Sequence, residues 1–175
     1  MTPAADKDRI LRARAAALAR EPAAATTAAT IEVVAFALAG ERYGVECAYV
    51  REVLPLRDLT PVPCTPAFIL GILNVRGRLL TVLDLRTFFN LSLEGIHDLH
   101  EVLVLQGNDM DLGLAVDAVL GVRPILVDQV QATLPTGSPI GEALVRGVTA
   151  DRLIVLDAAG ILADRRIVAR EQGET

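Results

Sequence analysis

The sequence predicts a mostly β protein with a few short helices, in which one small barrel-like unit occurs twice. Three observations lead there. Short, nearly continuous apolar runs alternate with glycine-containing turns, the pattern of strands buried on both faces. The order of runs and turns in the first half recurs in the second. The composition supplies an aliphatic core, 52% hydrophobic but only 3% aromatic and without Trp.

The elements follow in order. Asp6–Arg20 is a helix signal: Asp6 or Asp8 caps it, Ala and Arg propagate it, Pro22 stops it, and Leu11, Ala15 and Leu18 share one side. Glu21–Thr30 is low in complexity and reads as a flexible linker, so residues 1–30 stand apart. Ile31–Leu38, a turn at Ala39-Gly40-Glu41 and Arg42–Cys47 make a first hairpin, and Val50–Leu56 continues as strand. Leu59–Pro66 carries three prolines and is read as an extended surface loop. Gly71–Val75 and Leu79–Leu85 flank Arg76-Gly77-Arg78, a second hairpin that displays an arginine at its tip and is closed by a helical turn over Leu85–Phe89.

The second half repeats this. Glu101–Gln106 and Leu112–Val116 match the first hairpin, and Ala118–Ile125 echoes Tyr49–Leu56. Val130–Pro139 is a second proline-bearing loop. Leu144-Val145-Arg146-Gly147 and Leu153–Asp157 read as copies of Asn74-Val75-Arg76-Gly77 and Leu79–Asp84, which places an arginine at both hairpin tips, and Ala158–Leu162 closes the unit. Each half alone is near the size at which a single core is marginal, so the halves are expected to share one.

Net charge −5 argues against a nucleic-acid partner or an anionic membrane surface, and the scarcity of aromatics argues against base-stacking platforms. No apolar run approaches the ~20 residues of a membrane span, and Arg12 and Arg14 spoil the N-terminal segment as a secretory signal. A cytoplasmic protein is expected, with Cys47 (on a strand) and Cys64 (in the proline-rich loop) as free thiols.

Catalytic chemistry is hard to assemble. Asp84, Asp117 and Asp157 each end an apolar strand and could form an acid/base or hard-metal trio. Asp84 and Asp157 also immediately precede the closing helices, where an Asp caps free backbone N–H groups, and duplication explains their recurrence. His97 and His100 have ligand spacing but no third ligand nearby in sequence. Neither cysteine has a nucleophile context, and there is no G-x-G-x-x-G or phosphate loop. A binding module is the economical reading, because a junction between two small barrels offers an apolar groove for an amphipathic helix.

Taken as an ordered set, several motifs resemble the CheW family of bacterial chemotaxis coupling proteins. They are Tyr43-Gly44-Val45-Glu46, Val50-Arg51-Glu52-Val53, Thr60-Pro61-Val62-Pro63, Thr65-Pro66-Ala67-Phe68-Ile69, Gly71–Gly77 and Thr81–Arg86. In the second half they are Gly113–Asp117, Arg146-Gly147 and Asp151–Asp157. The resemblance covers about Ile31 to Leu162. It implies two intertwined five-stranded SH3-like barrels in a domain over 31–165, the first barrel about 31–90, the second about 100–162, with 166–175 as a tail. It implies no catalysis, no cofactor and no metal. The implied role is an adaptor, a monomer on its own, coupling the tip of methyl-accepting chemotaxis receptors to the regulatory domain of the CheA histidine kinase in membrane-associated chemoreceptor arrays. By matched position Val50, Glu52, Gly71 and Arg76 resemble the family's receptor-binding and signalling residues, and Leu56, Leu59 and Pro61 its kinase-facing rim. Val75 replaces the usual leucine of the Asn-Leu-Arg-Gly motif, and residues 1–30 exceed what a minimal member needs. Those departures leave a scaffold of a variant chemosensory pathway, such as surface motility, as the alternative.

For Arg76 the ordinary reading is a solvated turn residue. Glu52 offers a partner if the strands lie adjacent, and such an exposed pair would direct the guanidinium while adding at most about 1 kcal/mol to stability.

Overall fold

The computed structural model describes residues 28–91, 98–107, 110–132 and 143–167. The expected N-terminal helix, most of its linker, His97, the Asn108-Asp109 turn, most of the second proline-bearing loop and the end of the tail lie outside the described residues.

Among the described residues ten strands form two five-stranded sheets. They are β1 (Thr30–Leu38), β2 (Glu41–Glu46), β3 (Val50–Pro55), β4 (Ile69–Val75) and β5 (Arg78–Asp84), then β6 (Glu101–Gly107), β7 (Met110–Val116), β8 (Ala118–Leu126), β9 (Val145–Val148) and β10 (Leu153–Leu156). Helix α1 (Leu85–Phe88) follows β5 and α2 (Ala158–Leu162) follows β10. One sheet runs β8-β1-β2-β10-β9 and the other β3-β6-β7-β5-β4.

The expected division into a barrel over 31–90 and another over 100–162 is therefore corrected. The second sheet uses a continuous stretch, β3 to β7, and is nested inside the first, whose β1 and β2 come before it and whose β8 to β10 come after it. The duplication itself is visible in the pairing. β1 pairs with β2 as β6 pairs with β7, and β10 lies parallel to β2 as β5 lies parallel to β7.

Continuous apolar runs arise from burial on both faces. In β1, Val33 and Ala35 face a cluster with Ile125, Leu153 and Val155, while Val34, Phe36 and Leu38 face the shared core. In β6, Val102 and Val104 pack with Leu73, Leu80 and Val82, while Leu103 and Leu105 face the shared core. Each sheet thus has its own interior, and the largest cluster joins the two sheets. One run departs from expectation: Leu79 at the start of β5 is 68% exposed.

Both closing helices are capped as the sequence suggests. Asp84 Oδ1 accepts from the Arg86 N–H at 2.9 Å, and Asp157 Oδ1 accepts from the Gly160 N–H at 3.2 Å. The Arg86 guanidinium also forks back onto the Asp84 carboxylate. Two expectations are corrected. Cys47 lies in a 3-10 turn over Cys47–Tyr49, not on a strand, where burial first and then Glu32 and Glu46 push its thiol pKa up. Cys47 and Cys64 form no disulfide, as expected. The tail does not begin at 166, because Ile167 is buried in the shared core and the Arg166 guanidinium lies 4.1 Å from the Phe88 ring centroid.

Candidate interaction site

The β4–β5 hairpin is a two-residue turn with Arg76 (φ 52°) and Gly77 (φ 83°) both left-handed. That geometry matches the right-handed twist of the flanking strands. Asn74 Oδ1 accepts from the Gly77 N–H at 2.9 Å and steadies the tip, so Arg76 is held at a positive φ that non-glycine residues rarely adopt.

From this tip the Arg76 side chain, 76% exposed, crosses to β3, where its Nη2 donates to Glu52 Oε2 at 3.1 Å. β3 alternates half-buried and exposed residues, with Val50, Glu52 and Leu54 inward and Arg51, Val53 and Pro55 outward. Arg51 Nη1 donates to Asp111 Oδ2 of β7 at 2.9 Å. These pairs border a groove of about 220 Å³ lined by Arg51, Glu52, Val75, Arg76, Leu79 and Asp111. It offers the guanidinium groups of Arg51, Arg76 and Arg78, two carboxylates and the exposed Leu79. That suits an amphipathic polar-and-apolar surface and carries no nucleophile.

The other sequence-derived residues sort by exposure. Val50 is half-buried against the shared core. Gly71 is buried; a Cβ there would sit 2.3 Å from the Thr60 carbonyl oxygen and 3.2 Å from Leu59 Cγ. Thr60 and Ile72 exchange two backbone hydrogen bonds of 2.9 Å. The missing side chain therefore lets the proline-rich loop lie on β4. Leu56 and Leu59 are half-buried against the second sheet's inner cluster, while Pro61 is exposed. Glu52 and Arg76 come together; Leu56, Leu59 and Pro61 form a separate loop surface, joined to the hairpin through Gly71.

The expected arginine at both tips is overturned. Gly147 occupies the place of Gly71: a Cβ there would meet the Gln131 carbonyl oxygen at 2.3 Å, and Gln131 and Val148 exchange backbone hydrogen bonds as Thr60 and Ile72 do. The second tip is instead Ala150-Asp151-Arg152, and Arg146 lies back in β9, where it pairs with Glu46 at 3.0 Å. Asp151 reaches the edge strand β8 and pairs with Arg123 at 2.6 Å, so a tip-to-edge ion pair recurs with its charges reversed. Arg123, and then the Thr149 hydroxyl, hold the Asp151 pKa down at about 2.

Sequence reasoning missed Arg51, Asp111 and Leu79. Leu79 was hidden by its apolar run, and the Arg51–Asp111 pair spans strands far apart in sequence. Among the described residues no three His, Cys, Asp or Glu side chains gather as a metal site. Asp84 and Asp157 cap separate helices, and Asp117 Oδ2 accepts from the Ala39 N–H at 3.0 Å.

Two interlocked five-stranded sheets, each with a strand that leads into an Asp-capped closing helix, define the class of fold. The CheW-like domain family model matches residues 32–166, and this chain belongs to that family of chemotaxis scaffold proteins. It is 29% identical to the chemotaxis protein CheW of Treponema pallidum, over 78% of this chain and 84% of that protein. It is 33% identical to protein FrzA of Myxococcus xanthus, over 79% and 91% respectively. The crystal structure of the scaffolding protein TtCheW from Thermoanaerobacter tengcongensis superposes with a TM-score of 0.64 at 33% identity, covering 73% of this chain and 84% of that one. The fold is thus the intertwined pair of SH3-like five-stranded units that the sequence motifs implied.

Proposed function

We propose that this protein is a non-catalytic adaptor that holds the tip of a methyl-accepting chemoreceptor against the regulatory domain of the CheA histidine kinase, within membrane-associated receptor arrays. The observation that carries the reading is Arg76, displayed at a hairpin tip with its guanidinium aimed by Glu52 beside a groove edged by Leu79. An exposed pair of this kind contributes at most about 1 kcal/mol to the fold, so its placement is better accounted for by a partner than by stability. In this reading the receptor meets Val50, Glu52 and Arg76, and the kinase meets the loop of Leu56, Leu59 and Pro61. Gly71 sets the spacing between the two surfaces.

The test is binding of a receptor-tip fragment and of the kinase regulatory domain, together with receptor-dependent kinase activation. Arg76→Ala is expected to weaken receptor binding about tenfold or more and to lower activation, with an unchanged urea midpoint. Binding and activation at wild-type levels would refute the assignment. A second reading, a scaffold of a variant chemosensory pathway with other partners, is favoured by the matches to FrzA and to protein PilI of Pseudomonas aeruginosa, 31% identical over 66% of this chain. Loss of binding to standard receptor tips in the wild-type protein would select it.

A further inference from the structure

We propose that the rim formed by Arg42, Arg123 and Arg152, at the mouth of the first sheet's interior, is a second interaction surface that docks an acidic, partly apolar segment of a partner protein. Strand register makes this mouth the counterpart of the Arg76 groove. β10 lies parallel to β2 with Val155 opposite Gly44, as β5 lies parallel to β7 with Val82 opposite Gly113. Counting back along these strands, Leu153 matches Leu80, Arg152 matches Leu79, and Arg42 matches Asp111. The glycines confirm the match: a Cβ on Gly44 would lie 3.1 Å from the Leu153 side chain, and one on Gly113 3.3 Å from that of Leu80. On the edge strands, β8 bulges at Leu120 where β3 bulges at Arg51, so Gly121 matches Glu52 and Arg123 matches Leu54.

The two mouths differ in charge. In the first, Glu52 and Asp111 each hold one arginine, and Leu79 is exposed. In the second, both carboxylate positions are lost, to Gly121 and Arg42, and Arg152 stands in the place of Leu79. Asp151 engages two of the arginines here: its carboxylate holds Arg123 at 2.6 Å, and its backbone carbonyl accepts from Arg42. Three guanidinium groups from β2, β8 and the tip thus gather at one carboxylate, in a chain whose net charge is −5. Arg42 and Arg152 are exposed, and no described residue pairs with the Arg152 side chain. The neighbouring acids do not offset this. Glu41 lies on the opposite face of β2 from Arg42, with Tyr43, and Glu46 is held by Arg146. The guanidinium N–H groups that Asp151 leaves free can take a partner's carboxylates in pairs. Leu120, 54% exposed at the bulge, adds an apolar contact where the first mouth has Arg51. A basic rim beside an exposed leucine complements a segment that carries both carboxylates and an apolar side chain. The acidic net charge and the scarcity of aromatics disfavour a nucleic acid in its place.

Amide NMR of the full chain, titrated with a synthetic peptide of glutamate and leucine, tests the proposal. Saturable shifts are expected at Arg42, Leu120, Arg123 and Arg152 and not around Arg76. The same peptide with lysine in place of glutamate is expected to leave these signals unmoved. Arg42→Glu with Arg152→Glu is expected to weaken binding at least about tenfold while the signals of the β3–β7 sheet stay in place. Arg152→Gln alone, which breaks no contact within the described fold, is expected to weaken it about threefold or more. Arg76→Ala is expected to bind the peptide as the wild type does, so this surface stands or falls separately from the receptor assignment. Absence of shifts, shifts spread evenly over both mouths, or binding that survives the double charge reversal would overturn the proposal. So would a short DNA duplex that binds the same residues more tightly than the peptide, which would assign the mouth to nucleic acid.

Discussion

Gly71 and Gly147 show how much a single absent side chain positions. Each sits at a bulge where a loop carbonyl lies 2.3 Å from where a Cβ would be, and each has a φ in the region that favours glycine. Gly71→Ala is expected to cost about 2 kcal/mol or more in urea denaturation, from backbone strain and a displaced loop. Gly147→Ala is expected to cost a similar amount. The two differ in what they disturb: Gly71→Ala moves the loop of Leu59 and Pro61 next to the Arg76 hairpin, so it alone is expected to reduce kinase coupling per folded molecule. Equal loss of coupling in both variants would reduce Gly71 to a stability residue. At this scale the sequence is informative about local roles. Asp84 and Asp157 are legible as caps because capping is decided within three residues. The Arg76–Glu52 pair is legible only as a conditional, because it depends on two strands meeting.

The hairpins show where sequence matching fails. Arg76-Gly77 and Arg146-Gly147 look alike, yet one pair is a turn and the other lies in a strand against Gln131. The second hairpin is shorter beyond its glycine, so a match on Arg-Gly slides the repeat out of register; the constraint that fixes it is a cross-chain carbonyl contact with no local signature. The shorter tip is organised differently. The Thr149 hydroxyl accepts from the Leu153 N–H and donates to Asp151, whose carboxylate holds Arg123 of β8 and whose backbone carbonyl accepts from Arg42. Because the folded-state pKa of Asp151 is depressed to about 2 from the usual 3.8, its stabilisation is present above about pH 4 and is lost as pH falls toward 2. The group is largely exposed, so the effect should stay below about 1 kcal/mol. Asp151→Asn is expected to lower the urea midpoint slightly at pH 6 and to converge on the wild type by pH 2. A gap that persists at pH 2 would contradict this origin.

For the whole molecule, the sequence discloses the duplication and the all-β class but not which strands share a sheet. Apolar runs mark burial on both faces without naming what lies on each. The largest cluster takes Phe36, Leu38 and Tyr43 from one sheet and Leu83, Leu103 and Leu114 from the other, so the two sheets are expected to unfold as one unit. Phe36→Ala is expected to cost about 3–5 kcal/mol and to shift a single transition seen alike by circular dichroism and by exchange of amides in both sheets. Separate transitions for the two sheets would count against a common core.

Nesting also gives the protein an order of assembly during synthesis. The β3–β7 sheet has all its strands once Val116 has left the ribosome. The hairpin of β1 and β2 is made earlier than any of these, yet it must wait for residues 118–156 before its neighbours exist. One of its apolar faces, Val33 and Ala35, stays uncovered in that interval, because Ile125, Leu153 and Val155 are not yet made. The first-made part of the chain is thus the last to be housed, and it is the part for which a nascent-chain chaperone has the most to do.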